Sequence, residues 1–323
     1  MADAINDEVM EKNGSEISEE TCSISSVREL SDEEKLKLEA DITLVSDFKQ
    51  MKLEKEAKKN WDLFYKRNTT KFFKDRHWTK REFEELSGKD VNTDKFVVLE
   101  AGCGVGNFLF PLLEDSNIFF YACDFSPRAV QFVKDNEKYH EDKCCAFQCD
   151  LTADDLTQNI EGCSVDVCSL IFVLSAIHPD KMICALKNIH KVVKVGGCIL
   201  FRDYGLYDHA MLRFAKGHKL SEHFYVRQDG TRAYYFTLEK LRDLFLEAGF
   251  SEVSNEYVLR ETVNKKEGLC VPRVFVQAKF IKEKDILSQT YESSENTQMK
   301  EPSVNAQTKD SSENNEITDF TDS

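Results

Sequence analysis

The sequence has no C-x-x-C pair among its eleven cysteines, no apolar run long enough to span a membrane and no surplus of positive charge. Each absence excludes something. Cys103, Cys123, Cys144, Cys145, Cys149, Cys168 and Cys198 fall in or beside expected strands. They read as small apolar residues of a reducing compartment, not as zinc ligands or disulfides, and no metal is expected. The longest apolar run, 167–177, falls short of the roughly 20 residues a membrane helix needs, so no membrane role is expected. An acidic first dozen residues argues against a secretory signal and a mitochondrial presequence. The expected place is the cytoplasm, with the nucleus also open to the protein. A formal charge of −15 counts against nucleic-acid binding until its distribution is read. Residues 1–40 carry twelve Asp/Glu against four Lys/Arg, and residues 283–323 carry ten against three. The acidity belongs to the two ends, and the chain between them is balanced.

What is present starts with residues 96–124. Phe96, Val97, Val98 and Leu99 make a short apolar run rich in β-branched residues, the mark of a strand buried on both faces. Glu100-Ala101-Gly102-Cys103-Gly104-Val105-Gly106 follows, with glycines at alternate positions that permit positive φ and close approach of a ligand. Residues 107–113 open a helix whose N-terminus offers unpaired N–H groups. A second buried strand over 118–123 ends at Asp124. That carboxylate lies twenty positions after Gly104, where a ribose-binding group belongs in a nucleotide-binding βαβ unit. The dinucleotide pattern G-x-G-x-x-G is absent, because Asn107 stands at its sixth position. The pattern E-x-G-x-G-x-G instead resembles the first motif of class I S-adenosylmethionine-dependent methyltransferases. The alternative is a tight turn in a cofactor-free α/β protein; the placement of Asp124 favours the cofactor.

Taken in order, the chain divides into four parts. Residues 1–30 and 283–323 are rich in Ser, Glu, Asp and Asn and are expected to be disordered tails. Residues 31–90 form a helical extension. Ser31-Asp32-Glu33-Glu34 has the form of a capping box. Residues 46–81 carry twelve Lys/Arg against five Asp/Glu with aromatics interleaved. Trp61, Phe64 and Tyr65 fall on one helix face, which either covers the sheet or lids a cofactor pocket. Lys71, Lys74 and Arg76 among Phe72, Phe73 and Trp78 mix cations with flat rings, as a single-strand RNA site does.

Residues 91–282 alternate strands and helices, which predicts a doubly wound, mostly parallel α/β sheet. Its ligand belongs at the carboxyl ends of the strands, where Gly102, Asp124, Asp150 and Ile171 converge. Asp150 follows the third strand, either meeting an adenine amino group or capping a helix. An inserted segment, 207–236, contains Asp229-Gly230 between aromatic runs 224–226 and 234–236, a hairpin signal with Arg227 and Arg232 on opposite arms. It is a substrate-side element or a plain capping hairpin. Helix 237–248 and an antiparallel strand pair, 253–263 and 273–280, joined by the loop 264–268, complete the domain.

Seven blocks in this order resemble the tRNA N3-methylcytidine methyltransferases, in particular their cytosolic branch acting on serine tRNAs. They are NWDLFY at 60–65, FKDRHW at 73–78, LEAGCGVG at 99–106, CDFSPR at 123–128, FRDYG at 201–205, RQDGTR at 227–232 and NKKEG at 264–268. The resemblance covers roughly residues 40–282 and implies a class I (Rossmann-like) methyltransferase fold. It implies N3 methylation of cytidine 32 in the anticodon loop, with S-adenosylmethionine bound at Trp61, Tyr65, Gly102, Asp124, Asp150, Leu151 and Ile171. It also implies seryl-tRNA synthetase as a partner. A balanced core with one basic segment offers few phosphate contacts, which independently predicts modest unaided tRNA affinity.

Cytosine N3 carries a free lone pair when the base is unpaired, so the chemistry needs exposure and alignment of the base more than a general base. Asp203 and Tyr204 sit just past the fifth strand on the cofactor rim. Asp203 is expected to face the cytosine and Tyr204 to stack on it or hydrogen-bond, unless Asp203 binds loop backbone instead. Lys71, Lys74, Arg76, Arg227 and Arg232 are the expected tRNA contacts. A protein or small-molecule methyltransferase, or a non-catalytic S-adenosylmethionine- or RNA-binding module, shares the cofactor half of this pattern. The first of these would have no need of the basic aromatic segment.

Overall fold

The computed structural model describes residues 22–24, 26–87, 95–113, 117–264 and 269–284. Most of the two expected tails and residues 265–268 of the expected loop lie outside the described residues. Five strands form the parallel heart of the sheet: β2 (Phe96–Ala101), β3 (Ile118–Asp124), β4 (Cys144–Gln148), β5 (Val165–Ile171) and β6 (Val193–Tyr204). They lie in the order β4-β3-β2-β5-β6. The chain moves outward from β2 in one direction and from β5 in the other, so the strand order switches between β2 and β5. An open α/β sheet has its ligand crevice at such a point. Antiparallel β11 (Leu269–Ile281) pairs with β6, and β10 (Ser251–Asn264) pairs with β11.

The tail expected over 1–30 is corrected at its end. Residues Cys22–Ile24 form β1, antiparallel to β10. Without β1 the long strand β10 would present an unpaired edge, and edges of that length are normally covered. Ser31 then opens α1 (Asp32–Ala40) with both halves of the capping box formed.

Both faces of the sheet are covered, as its nearly continuous apolar strands require. Adjacent residues divide between two cores. Leu99, Leu170, Ile199 and Phe201 pack with α5 (Pro179–Val192) and α6 (Leu238–Glu247), whereas Val98, Phe120, Val167 and Leu200 pack with Phe83, Leu86, Phe108 and α4 (Pro127–Lys134). The helix expected from Asn107 shrinks to one turn, Leu109–Leu112. Gly106 at φ 86° is not helical, and the turn uses the residues up to Phe108.

The extension supplies α2 (Asp47–Lys55) and α3 (Ala57–Asn68). It is anchored to the sheet through Glu82, which receives both Arg202 and Arg260, with Trp78 lying 4.5 Å from the Arg202 guanidinium. The inserted segment forms a small antiparallel sheet of β7 (Lys219–Ser221), β8 (Phe224–Val226) and β9 (Arg232–Tyr234). Its Asp-Gly turn is as expected, but the second arm begins two residues early, with Val226 opposite Arg232. The aromatic run at 234–236 instead reaches back to the main sheet, where Phe236 bridges to Gly205. Asn60 of α3 donates to Gly230 O at 3.1 Å, and Arg67 pairs with Asp229 at 3.2 Å. Helix and hairpin therefore close over the same strand ends.

Candidate active site

Two connected chambers lie at the carboxyl ends of β2 to β6. The outer one has a volume of about 350 Å3. The turn after β2 meets it at Gly102 and continues into the inner chamber. Gly102 (φ 69°) and Gly104 (φ 54°) hold left-handed conformations that side chains resist, and a Cβ on Gly104 would stand 2.9 Å from the Tyr65 hydroxyl. Gly104 N–H donates to Asp124 Oδ2 at 3.0 Å, and Ser126 N–H donates to Oδ1 at 2.9 Å. Burial pushes the Asp124 carboxyl up to about 6, against the pull of those two bonds. Asp124 and Phe125 form one side, and Asp150, Leu151 and Ile177 the other. Asp150 lines the chamber while Oδ1 accepts from Thr152 N–H (2.9 Å) and Oγ1 (2.8 Å), closing a turn after β4 and not capping a helix.

The roof is α3. Phe64 and Tyr65 pack on Val105 of the glycine turn and Ala129 of α4, with Trp61, Phe72 and Phe73 alongside. Asp62 fixes the helix by accepting from Ser126 Oγ at 3.0 Å and pairing with Arg128 at 3.3 Å. The aromatic face therefore lids the chamber as well as covering the sheet.

The inner chamber, about 80 Å3, shares Trp61, Tyr65, Gly102, Phe172, Ala176 and Arg232 with the outer one. Phe72, Phe73, Arg76, Ile171, Tyr204 and Arg227 enclose the rest, with Glu100 behind the glycine turn. Burial pushes Glu100 up to about 8, while Arg76 and the Leu109 and Phe108 amides pull the other way. Its Oε2 is buried with no hydrogen-bond partner. Arg76 donates to Ile171 O at 3.1 Å and lies 5.4 Å from the Phe172 ring centre. Arg227 donates to Arg232 O at 3.0 Å and lies 5.6 Å from the Tyr204 ring centre.

All seven expected cofactor residues line one chamber or the other. Of the two residues expected at the substrate, Tyr204 lines the inner chamber, and Asp203 is corrected. Asp203 is fully buried, and its carboxylate accepts from Ser175 N–H and Tyr204 N–H, each at 2.9 Å. Strand alternation sends this side chain beneath the rim, where backbone amides claim both oxygens. Burial pushes it up to about 6 in spite of the Ser175 and Tyr204 bonds.

The five expected tRNA contacts divide as well. Lys71 and Lys74 are exposed, and Arg76 and Arg227 point into the inner chamber. Arg232 lines both chambers, but its side chain is 6 % exposed and ion-paired with Glu54, which also holds Lys181, so it is corrected from an exposed phosphate contact to a buried wall residue. From the sequence, Glu100 is only the first position of the glycine motif, with no contact assigned to it, and Phe172 is not singled out. A carboxylate inside the run FVVLEAG was a readable signal; the conformation of Phe172 left none.

The chambers suit a nucleoside that carries an amino acid. An orphaned carboxyl oxygen beside an open glycine cradle fits the ammonium of S-adenosylmethionine, and Asp124 fits its ribose. Among the described residues no helix is long and apolar enough to cross a membrane, and no cluster of His, Cys, Asp and Glu could hold a metal ion.

Comparison with known proteins agrees with this chemistry. Residues 99–199 match a family model described as "Methyltransferase domain". The human tRNA N(3)-cytidine methyltransferase METTL6 is 67% identical over 257 residues, covering 79% of this chain and 90% of that protein. The METTL2 enzyme of the same description from Xenopus tropicalis is 41% identical, covering 73% of this chain and 81% of that one. The tRNA N(3)-methylcytidine methyltransferase trm141 of Schizosaccharomyces pombe is 43% identical, covering 73% and 96%. The methyl donor is S-adenosylmethionine. With an α/β methyltransferase fold and this degree of identity over most of its length, the chain belongs to the tRNA N3-cytidine methyltransferases, enzymes that methylate cytidine N3 in tRNA.

Proposed function

We propose that the enzyme methylates cytidine 32 in the anticodon loop of serine tRNAs, with the donor's adenosine in the outer chamber, its amino-acid end reaching Glu100 in the inner one, and the target base entering the inner chamber beside it. The observation that carries this reading is the junction of the chambers at Trp61, Tyr65, Gly102 and Phe172. A flipped base entering between flat rings there meets the donor side directly. The choice of serine tRNA and of position 32 rests on the seven sequence blocks shared with that branch.

In this reading Asp124 takes the ribose hydroxyls, Asp150 and Leu151 the adenine edge, and Glu100 the ammonium, under Trp61 and Tyr65. When bound, S-adenosylmethionine supplies an electrophilic methyl group. The chain's own work is positioning. Cytosine N3 needs no proton removed, so no general base is required; Glu100, the carboxyl in the inner wall, is held largely protonated by burial at neutral pH only until the donor's ammonium arrives. Orienting reactants can supply about 7–11 kcal/mol of a barrier, and the aromatic walls exclude water from the transfer. Asp203 contributes by fixing the backbone of Ser175 and Tyr204. The cationic product faces Arg76 and Arg227, which favours its release.

Exposed Lys71 and Lys74 meet phosphates at the entrance. Two lysines offer little electrostatic affinity, which supports a need for seryl-tRNA synthetase to present the tRNA. The cytosol is the proposed compartment, with the nucleus as a second. Nine described cysteines are free thiols, which suits a reducing environment. To test the reading, the purified enzyme is incubated with labelled donor and total tRNA, with and without seryl-tRNA synthetase, and methylation is mapped by reverse-transcription arrest. The expected result is arrest at position 32 of serine tRNAs, enhanced by the synthetase. Label at another position, or in other tRNAs irrespective of the synthetase, overturns it.

A further inference from the structure

β5 ends at Ile171, and the next residue departs from anything its sequence suggests. Phe172 has φ 59°, in the left-handed region. A bulky aromatic residue there is an outlier that persists only when its surroundings over-determine it, and such outliers cluster at functional sites. Phe172 N–H donates to Arg202 O at 2.8 Å. Arg76 grips the preceding carbonyl, Ile171 O, at 3.1 Å. Beyond it, Ser175 N–H is held by the Asp203 carboxylate and Ala176 N–H by Val173 O at 3.0 Å. Two consecutive residues at the end of β6 thus brace this one turn, Arg202 through its backbone carbonyl and Asp203 through its buried carboxylate.

The consequence is where the ring goes. It is half-buried and forms a wall common to both chambers. Tyr204 lies 5.1 Å away at 48°, and Phe275 supports it edge-on at 5.6 Å and 78°. A ring needed only for packing could sit on an unstrained backbone with its face against the core. This one is braced into an unfavourable conformation and stays half-buried, with the Arg76 guanidinium 5.4 Å from its ring centre and the rest of its surface bordering both chambers.

We propose that Phe172 is a substrate-positioning residue: its ring, with Tyr204 at its side, is the wall against which the flipped cytosine is set in line with the methyl donor. The ligand is the flat face of an unpaired pyrimidine. The proposal rests on the assignment of the inner chamber to the target base. It also gives Asp203 its purpose, since that carboxylate acts through the turn it holds.

The test uses the full chain with total tRNA, seryl-tRNA synthetase and S-adenosylmethionine, with N3-methylcytidine quantified by nucleoside mass spectrometry. Phe172→Gly is the informative variant, because glycine is at ease at this φ and removes only the ring. Phe172→Leu keeps apolar bulk, and Phe172→Tyr keeps the ring. The expected single-turnover rates at saturating tRNA and donor fall at least tenfold for Gly and Leu and stay within about threefold for Tyr. Affinity for S-adenosylhomocysteine, read by calorimetry, stays within about threefold for all three. Wild-type rates for Gly or Leu overturn the proposal. So does a rate loss matched by an equal loss of S-adenosylhomocysteine affinity, because the ring then serves the donor alone. Failure of the unmodified chain to form N3-methylcytidine would instead remove the functional reading beneath it.

Discussion

Glu100 gives the site a measurable pH signature. Burial lifts its carboxyl from an ordinary 4.5 to about 8. Between those values the folded protein keeps a proton that the unfolded chain has released, so stability falls as pH rises, by about 1.4 kcal/mol per unit. From pH 6 to pH 8 this amounts to about 2–3 kcal/mol. Asp124 and Asp203, raised only to about 6, exert most of their effect below that window. Glutamine has nearly the same shape and no titration. Any fixed cost of its amide beside the Leu109 and Phe108 N–H groups is the same at every pH. The stability of Glu100→Gln relative to wild type should therefore improve by about 2–3 kcal/mol between pH 6 and pH 8. At about 2–4 °C per kcal/mol for a domain of this size, the difference in Tm should move by about 4–12 °C in favour of the variant. Thermal melting of both proteins at half-unit pH steps measures it. A Tm difference that stays constant across the window refutes the account of Glu100. The same carboxyl should lose its proton when the donor's ammonium arrives. Calorimetric titration with S-adenosylhomocysteine at pH 7 in two buffers of different ionisation enthalpy should then report release of close to one proton by wild type and none by the variant.

Three further predictions concern the glycine turn, the brace and the entrance. Gly104→Ala places a methyl 2.9 Å from the Tyr65 hydroxyl on a left-handed backbone; about tenfold weaker S-adenosylhomocysteine binding and about 1–2 kcal/mol less stability are expected by calorimetry and denaturant unfolding. Asp203→Asn leaves one of two buried N–H groups without its acceptor; it should cost about 1–3 kcal/mol in stability and slow single-turnover methylation while donor affinity holds. Lys71→Glu and Lys74→Glu should each flatten the slope of log tRNA affinity against log salt by about one, read by filter binding over a salt series.

Local chemistry made much of the site legible. The glycine turn, Asp124 and Asp150 are near neighbours of strands whose apolar runs announce them. The face of Trp61, Phe64 and Tyr65 follows from helical spacing, and the hairpin turn from Asp229-Gly230. What stayed hidden depends on contacts between distant parts of the chain. Arg232 looked like a phosphate contact because its partner, Glu54, lies 178 residues away. Residues 22–24 looked like tail because the edge they cover belongs to β10, which comes far later in the chain. Asp203 was placed on the right rim, but its direction depends on Ser175, whose amide reaches it only in the folded sheet. The left-handed Phe172 is set by Arg202, Arg76 and Asp203 together, and no local pattern encodes it.

The central claim is that the donor runs from the outer chamber into the inner one, past Trp61, Tyr65, Gly102 and Phe172, and meets the target base there. A crystal structure of the enzyme with S-adenosylhomocysteine tests it most directly. The account predicts the adenosine between Asp124 and Leu151, the ammonium on Glu100 Oε2, and the sulfur facing the Phe172–Tyr204 wall. A ligand whose ammonium lies away from Glu100, or whose sulfur faces away from that wall, would contradict it.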